Sequence, residues 1–254
     1  MITAIVQARV SSSRLPKKVL LRLNGQTVLE NVVSRAKKSH YIKQVIVATS
    51  TDKSDDAIAK LCRLKKIKCF RGDLNNVLDR FYQTAVFYKS TDICRITADC
   101  PLIDPGLIDL AAKKYLTAKV DYLSTAYPKP SYPDGLDVEI FSFKALAKAR
   151  HEAKLLSEQE HVTPYIWKNP KKFKLLNLKN TTDLSKLRWT LDEPRDWKFI
   201  KAIYRRLGKN KKIFGWQEIL KLLKQQPRLS ALNSQIQRNE GYLKSLQEDK
   251  QLHK

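Results

Sequence analysis

The chain opens on Ile2-Thr3-Ala4-Ile5-Val6, an apolar, β-branched run of the kind a buried strand requires. It then breaks at once into a polar loop holding Arg9, three serines, Arg14, Pro16, Lys17 and Lys18. A buried strand that delivers arginines, lysines, hydroxyls and backbone N–H groups to one point makes a cradle for a polyphosphate. The plain alternative is a basic surface loop after an edge strand. The segment contains neither G-x-x-x-x-G-K-[ST] nor G-x-G-x-x-G, so whatever it grips, it grips with side chains more than with glycines.

Strand-like and helix-like segments then alternate. Val28 to Ala36 carries apolar residues at helical spacing, Gln44 to Thr49 reads as a strand, and Asp55 to Leu64 as a helix with Ser54 and Asp55 suited to capping it. Ile67 to Phe70 is a short strand, Val77 to Tyr88 an amphipathic helix, Asp92 to Thr97 a strand, and Pro105 to Leu116 a helix with proline in its first turn. This rhythm with short loops predicts an α/β fold with a mostly parallel central sheet and helices on both faces. Ligands of such sheets lie at the carboxyl ends of the strands, so the loops after Val6, Thr49, Phe70 and Thr97 are expected to converge on one cleft.

From Asp121 to about Pro194 the rhythm changes. Asp137 to Phe141 alternates like a half-exposed strand, and Glu158 to Trp167 reads as one short helix carrying His161. Phe173 to Leu178 is a strand, Leu187 to Leu191 leads into Asp192, and Pro194 to Leu207 and Trp216 to Lys224 are helices. A single α/β domain over residues 1–226 is expected. Residues 227–254 are polar and weakly periodic, predicting a peripheral helix or a partly disordered extension.

A formal net charge of +24 draws a protein towards polyanions. The basic residues are spread along the chain, however, as in Lys65-Lys66, Arg205-Arg206 and the run from Lys209 to Lys212, and no nucleic-acid-binding motif accompanies them. Specific nucleic-acid binding is therefore not expected. No run approaches a membrane span and no signal-peptide pattern opens the chain, which predicts a cytoplasmic protein. The cysteines (62, 69, 94 and 100) form no C-x-x-C pair and no zinc-ligand spacing, with Cys69 and Cys94 expected as small buried residues.

Two acids stand out because each follows a strand-like run and precedes a proline turn: Asp99 in Arg95-Ile96-Thr97-Ala98-Asp99, and Asp192 in Arg188-Trp189-Thr190-Leu191-Asp192. Carboxylates at strand ends, facing a loop rich in Arg and Lys, suit a magnesium–triphosphate site, because Mg²⁺ is usually held by one or two carboxylates plus phosphate oxygens. Asp104 and Asp196, each just before or just inside a proline-started helix, read instead as capping residues.

The strings IVQARVSSSRLPKKVL, VIVATSTDKSDD, FRGDLNNVLDRFYQ, RITADCPLIDP, YPDGLDVEIFSF, EQEHVTPYIWKNP, LRWTLDEPRDW and RNEGYLKSL together resemble the cytidylyltransferase family. That family includes the acylneuraminate and 3-deoxy-manno-octulosonate cytidylyltransferases, and the likeness is strongest to its spore-coat polysaccharide biosynthesis protein F subgroup. It runs from about Ile2 to Leu246. The resemblance implies a Rossmann-like fold, CTP and an acidic sugar as substrates, Mg²⁺ as cofactor, and a CMP-sugar and pyrophosphate as products. It also implies that Arg9, Ser12, Arg14 and Lys18 grip the triphosphate, with Arg9, Lys18, Asp99 and Asp192 carrying the reaction. By the same likeness Arg71, Asn76 and Asp99 contact the nucleotide, Asp99 and Asp192 bind the metal, and Asp137, Glu139, Glu160 and His161 meet the sugar. Related enzymes suggest a homodimer.

The chain departs from the family pattern at Lys17 and Ala98, where glycine is common, and at Thr190, where some sialic-acid enzymes carry a further aspartate. One shared Mg²⁺ is therefore the simpler expectation. Two other readings stand beside this one: a glycosyltransferase using a nucleotide-sugar donor, for which Asp137-Val138-Glu139 is only a loose D-x-D echo, and a diverged nucleic-acid-binding protein on the same fold.

Overall fold

The computed structural model describes residues 2–208 and 213–252; the basic run 209–212 and residues 253–254 of the extension lie outside them. The opening run forms β1 (Ile2–Gln7), buried along nearly its whole length. A two-stranded ribbon, β2 (Arg22–Leu23) and β3 (Gln26–Thr27), leads into α1 (Val28–Ala36). There Thr27 and Glu30 make a reciprocal cap: the Thr27 hydroxyl accepts from the Glu30 N–H at 3.1 Å, and Glu30 accepts from the Thr27 N–H at 2.8 Å. Then follow β4 (Ile42–Ser50), α2 (Asp56–Leu64), β5 (Lys68–Gly72), α3 (Val77–Phe87), β6 (Asp92–Thr97) and α4 (Pro105–Ala118).

The second half contributes β7 (Tyr122–Ser124), β8 (Glu139–Ser142), α5 (Phe143–Glu152), α6 (Leu156–His161), α7 (Pro164–Lys168) and β9 (Leu175–Asn177). It ends with α8 (Pro194–Leu207), α9 (Trp216–Gln225) and α10 (Glu240–Leu252). Strands pair in the order β5-β4-β1-β6-β8-β7-β9. Within this seven-stranded sheet every pairing is parallel except those of β8 with β6 and β7. This is a mostly parallel, Rossmann-like sheet. Its order reverses at β1, which has β4 on one side and β6 on the other, so a crevice opens beyond the ends of β1 and β6. No described helix is long and apolar enough to cross a membrane.

Several local expectations need correcting. Asp55 does not cap α2; its buried carboxylate accepts from the Val10 N–H at 2.7 Å and the Ser50 hydroxyl at 2.5 Å. β8 is not half-exposed, because β6 and β7 cover both its edges and the two apolar clusters of the core cover its faces. The stretch 158–167 is two helices, broken where Val162 takes a φ of +71°. Leu187 to Leu191 forms no strand and is tied in by a bridge between Asp134 and Arg188 and by the Leu191 N–H donating to the Asp99 carbonyl. The short strand β7 and the helix α5 went unread. Asp104 does cap α4, accepting from the Leu107 N–H at 2.8 Å. Cys69 is only half-buried, while Cys62, Cys94 and Cys100 are buried, and all four are free thiols.

Candidate active site

The register of β1 against β6 sets the site. Gln7 lies beside Thr97, and the Ala98 N–H donates to the Gln7 carbonyl at 3.0 Å, so the loop after β1 and the acid after β6 leave the sheet side by side. The Leu191 N–H then donates to the Asp99 carbonyl at 2.9 Å, which carries Asp192 to the same place. A cavity of about 780 Å³ opens there. One side is formed by the loop from Ala8 to Lys18 and the start of α3, the floor by β6 and β8, and the opposite wall by α6 and α10.

Three features hold the loop after β1. Asp55 fixes the Val10 N–H, as described above. Ser12 accepts from the Leu15 N–H at 3.4 Å, so its hydroxyl shapes the loop from within. Lys17 takes a φ of +55°, in the left-handed region where glycine is freest. The residue that replaces the family's usual glycine therefore occupies a position whose backbone favours glycine.

Lys18 follows this turn and points inward. Its ammonium lies 2.6 Å from Asp99 Oδ2 and 2.6 Å from Asp192 Oδ1. Burial works against its charge, but the two carboxylates outweigh burial and hold the Lys18 pKa above its ordinary value. Burial likewise pushes Asp99 towards neutrality, and the Lys18 charge overcomes it and holds the carboxyl below its usual range. Asp99 and Asp192, bridged here by one ammonium, offer hard oxygen donors of the kind that suit Mg²⁺. Among the described residues no cluster of three or more His, Cys, Asp or Glu forms a complete metal cage. Two carboxylates with the remaining ligands drawn from phosphate is the arrangement these residues fit.

Asp192 is held from behind by a buried ion cluster. Arg188 donates to Asp192 at 3.1 Å, to Asp134 at 3.0 Å and to both oxygens of Asp196 at 3.0 and 3.1 Å. Asp196 in turn accepts from the Asp192 and Glu193 N–H groups at 2.9 and 3.0 Å. Its capping role is therefore joined to a second one, orienting Asp192. Burial and the nearby Asp137 push the Asp134 carboxyl up to about 7 despite its arginine partners.

The far end of the cavity carries the other predicted acids. Glu139 is fully buried and accepts from Tyr122 at 2.5 Å, Thr163 at 2.6 Å and Arg95. Its first task is to hold Arg95 in the floor, where the guanidinium also donates to Gln7 at 2.9 Å. Asp137 accepts from Arg238 at 2.5 Å. Glu160 and His161 end α6 and meet Ser245 of α10, whose hydroxyl donates to Glu160 at 2.7 Å and lies 3.1 Å from His161 Nε2. Burial drives the His161 pKa down to about 4, so the imidazole is neutral near pH 7 and suits a hydrogen bond better than proton abstraction.

Arg9, Ser12, Arg14, Lys18, Asp99, Asp192, Asp137, Glu139, Glu160 and His161 thus share one cavity. Arg71 and Asn76 do not line it. Arg71 donates to the carbonyls of Ser50 and Asp52 and pairs with Asp56, and Asn76 caps α3 by accepting from the Asp79 N–H. The loops after β4 and β5 accordingly stay off the cleft. Arg80, Arg95, Arg188, Tyr127 and Tyr242 line it without having been predicted. A signal existed for Arg80, an arginine on the mostly apolar buried face of its helix. Arg80 is buried, and burial lowers its pKa to about 10.

A sequence model of the family described as Cytidylyltransferase matches residues 3–238. Uncharacterized protein MJ1063 of Methanocaldococcus jannaschii is 38% identical over 239 residues, covering 92% of this chain and 95% of that protein. Spore coat polysaccharide biosynthesis protein SpsF of Bacillus subtilis is 30% identical over 230 residues, covering 88% of this chain and 94% of that one. Among solved structures, a cytidylyltransferase from Leptospira borgpetersenii superposes with a TM-score of 0.86 at 30% identity, covering 93% of this chain and 99% of that chain.

Proposed function

This chain belongs to the cytidylyltransferase family, and on that premise we propose that it transfers CMP from CTP to a hydroxyl of a small acidic sugar, releasing pyrophosphate. The acceptor oxygen bonds to the α-phosphorus, the bond from that phosphorus to the pyrophosphate oxygen breaks, and the hydroxyl proton is lost. The observation that carries this reading is the Lys18 ammonium set 2.6 Å from both Asp99 and Asp192 at the foot of an arginine-rich loop.

Arg9, Arg14 and Lys18 would take up the charge that moves onto pyrophosphate, in a reaction where positioning and charge neutralisation supply most of the rate. Asp99 and Asp192 would hold Mg²⁺, which when bound neutralises phosphate charge and orients the α-phosphorus. Arg188 and Asp196 keep Asp192 turned towards that place. The acceptor's end is the wall of α6 and α10 and the segment just before β8, where Glu160, neutral His161 and Asp137 offer hydrogen bonds for sugar hydroxyls. The name of the Bacillus subtilis relative supports placing the product in surface-polysaccharide synthesis.

The test is thermal stabilisation by CTP, UTP, ATP and GTP, each with and without Mg²⁺, on wild type and Asp99→Asn. Ligand at ~100 times its dissociation constant raises stability by about 2.7 kcal/mol, a readily measured shift. A CTP-selective shift strengthened by Mg²⁺ is expected for wild type, and a shift without the Mg²⁺ increment for Asp99→Asn. Equal response to all four nucleotides, or none, would remove the assignment.

A further inference from the structure

The arginines in and beside the cavity differ in how they are held. Arg188, Arg95 and the neighbouring Arg238 are largely buried and fixed by hydrogen bonds to acidic side chains of the fold, and buried Arg80 donates to the carbonyls of Asp73 and Leu74. Arg9 and Arg14 are different: their side chains are 52% and 38% exposed, and each reaches across the cavity to a carboxylate of the opposite wall. Arg14 donates to Glu240, the first residue of α10, and also lies 3.6 Å from Asp192. Arg9 lies 3.6 Å from Glu160 Oε1, while the other oxygen of Glu160 accepts from Ser245 of α10. Both guanidiniums thus hold a carboxylate where a phosphate would bind, in half-exposed pairs of the weak kind.

We infer that Glu240 is a placeholder for nucleotide phosphate on Arg14, so that α10 competes with the nucleotide for the loop after β1 and lowers its affinity. This rests on the proposed use of CTP. The rest of α10 is anchored independently of Arg14. Asp249 accepts from the Ser157 N–H at 3.1 Å, Ser245 joins His161, and the Tyr242 ring packs edge-on to His161 and Trp167 at centroid distances of 5.1 and 6.0 Å. Arrival of a triphosphate frees Glu240 and Gly241, ahead of the Tyr242 contact, and leaves the helix from Tyr242 onwards in place.

The experiment measures binding of CTP with Mg²⁺, and separately of inorganic tripolyphosphate, to wild type and Glu240→Gln by calorimetry. Hydrogen exchange of α10 in the wild type is followed with and without CTP. Exposed ion pairs of this kind change affinity by about two- to fivefold, so Glu240→Gln is expected to bind both ligands tighter by that factor. CTP is expected to speed exchange at residues 240–241, ahead of the Tyr242 contact, and leave 242–252 unchanged. Unchanged or weaker binding by Glu240→Gln, or added protection of residues 240–241 with CTP, overturns the inference. If wild type binds CTP and Glu240→Gln binds it equally well, the inference falls alone. If Glu240→Gln tightens tripolyphosphate while neither protein prefers CTP, the substrate assignment falls and the placeholder stands. Wild type binding neither ligand removes both.

Discussion

Lys18 Nζ lies 2.6 Å from Asp99 Oδ2, so a lysine of the first loop and the acid that ends β6 neutralise each other inside the site. The same ammonium serves Asp192, and removing it leaves two nearby carboxylates without that cation. Lys18→Met is expected to lose about 3 kcal/mol of stability, the size of loss seen when one partner of a buried ion pair is deleted. Added Mg²⁺ should recover more stability in this variant than in wild type. Scanning fluorimetry across a Mg²⁺ series checks it; equal Mg²⁺ responses in the two proteins would show that the carboxylates do not take the ion.

Asp55 accepts from Val10 N–H, Ser50 N–H and the Ser50 hydroxyl, none of which it could satisfy as alanine. Asp55→Ala is expected to cost about 3 kcal/mol, since each buried group left without a partner costs about 1–3 kcal/mol. The loop should loosen as well, so CTP affinity measured well below the melting temperature falls. Stability lost with full CTP affinity would mean that the loop keeps its shape without this anchor.

Gly135 has a φ of +99°, and a Cβ there would lie 2.6 Å from the backbone at Trp189 and Thr190. That segment leads directly to Asp192. Gly135→Ala is expected to destabilise by more than about 2 kcal/mol, through both the left-handed backbone and the clash. In the folded fraction at low temperature, the Mg²⁺ increment of the CTP response should shrink. An alanine variant with wild-type melting behaviour would contradict the geometry.

Lys17 supplies the opposite case. Its φ of +55° is one that glycine adopts without a Cβ penalty, although glycine also gives the unfolded chain more freedom to lose. Lys17→Gly is expected to leave stability unchanged or to raise it by up to about 1 kcal/mol, measured by denaturant unfolding. A loss of more than that would mean that the Lys17 side chain does something beyond tolerating the turn.

His161 links stability to acid. Burial lowers its pKa from 6.5 to about 4, so between these values the folded protein holds it neutral while the unfolded chain protonates it. The unfolded state then binds more protons, and the stability this neutral form contributes is present above pH 6.5 and lost as pH falls towards 4. The loss across that window is about 3 kcal/mol. In His161→Gln the drop over the same window should be smaller by that amount. Parallel pH profiles for the two proteins would refute the assignment.

The parallel half of the fold was legible because its strands are apolar runs and its helices start on polar or proline signals. β6 and α8 fall on the residues their patterns predict. The loop after β1, Asp99 and Asp192 were legible for the same reason: each lies where a buried strand or strand-like run stops and charge begins. The region 121–194 resisted because its structure comes from long-range contact. β7 has only three residues, β8 is buried by neighbours that no local pattern announces, and Arg188 acquires meaning from Asp134, Asp192 and Asp196 together. Arg71 shows the converse limit, since an arginine at the end of a strand can be spent on nearby carbonyls. The role of α10 as a wall depends on docking against α6, which weak helical periodicity does not disclose.

The two sides of the cavity are written in different structural languages. The nucleotide side depends on the register of β1 against β6, where a slip of one residue turns every side chain to the other face. Changes there are all or nothing. The opposite wall is made by α6 and α10, whose side chains reach the cavity from outside the sheet, so a change there does not pass through the strand register. A substitution on that wall can therefore act in small steps, where one that shifts the strand register cannot.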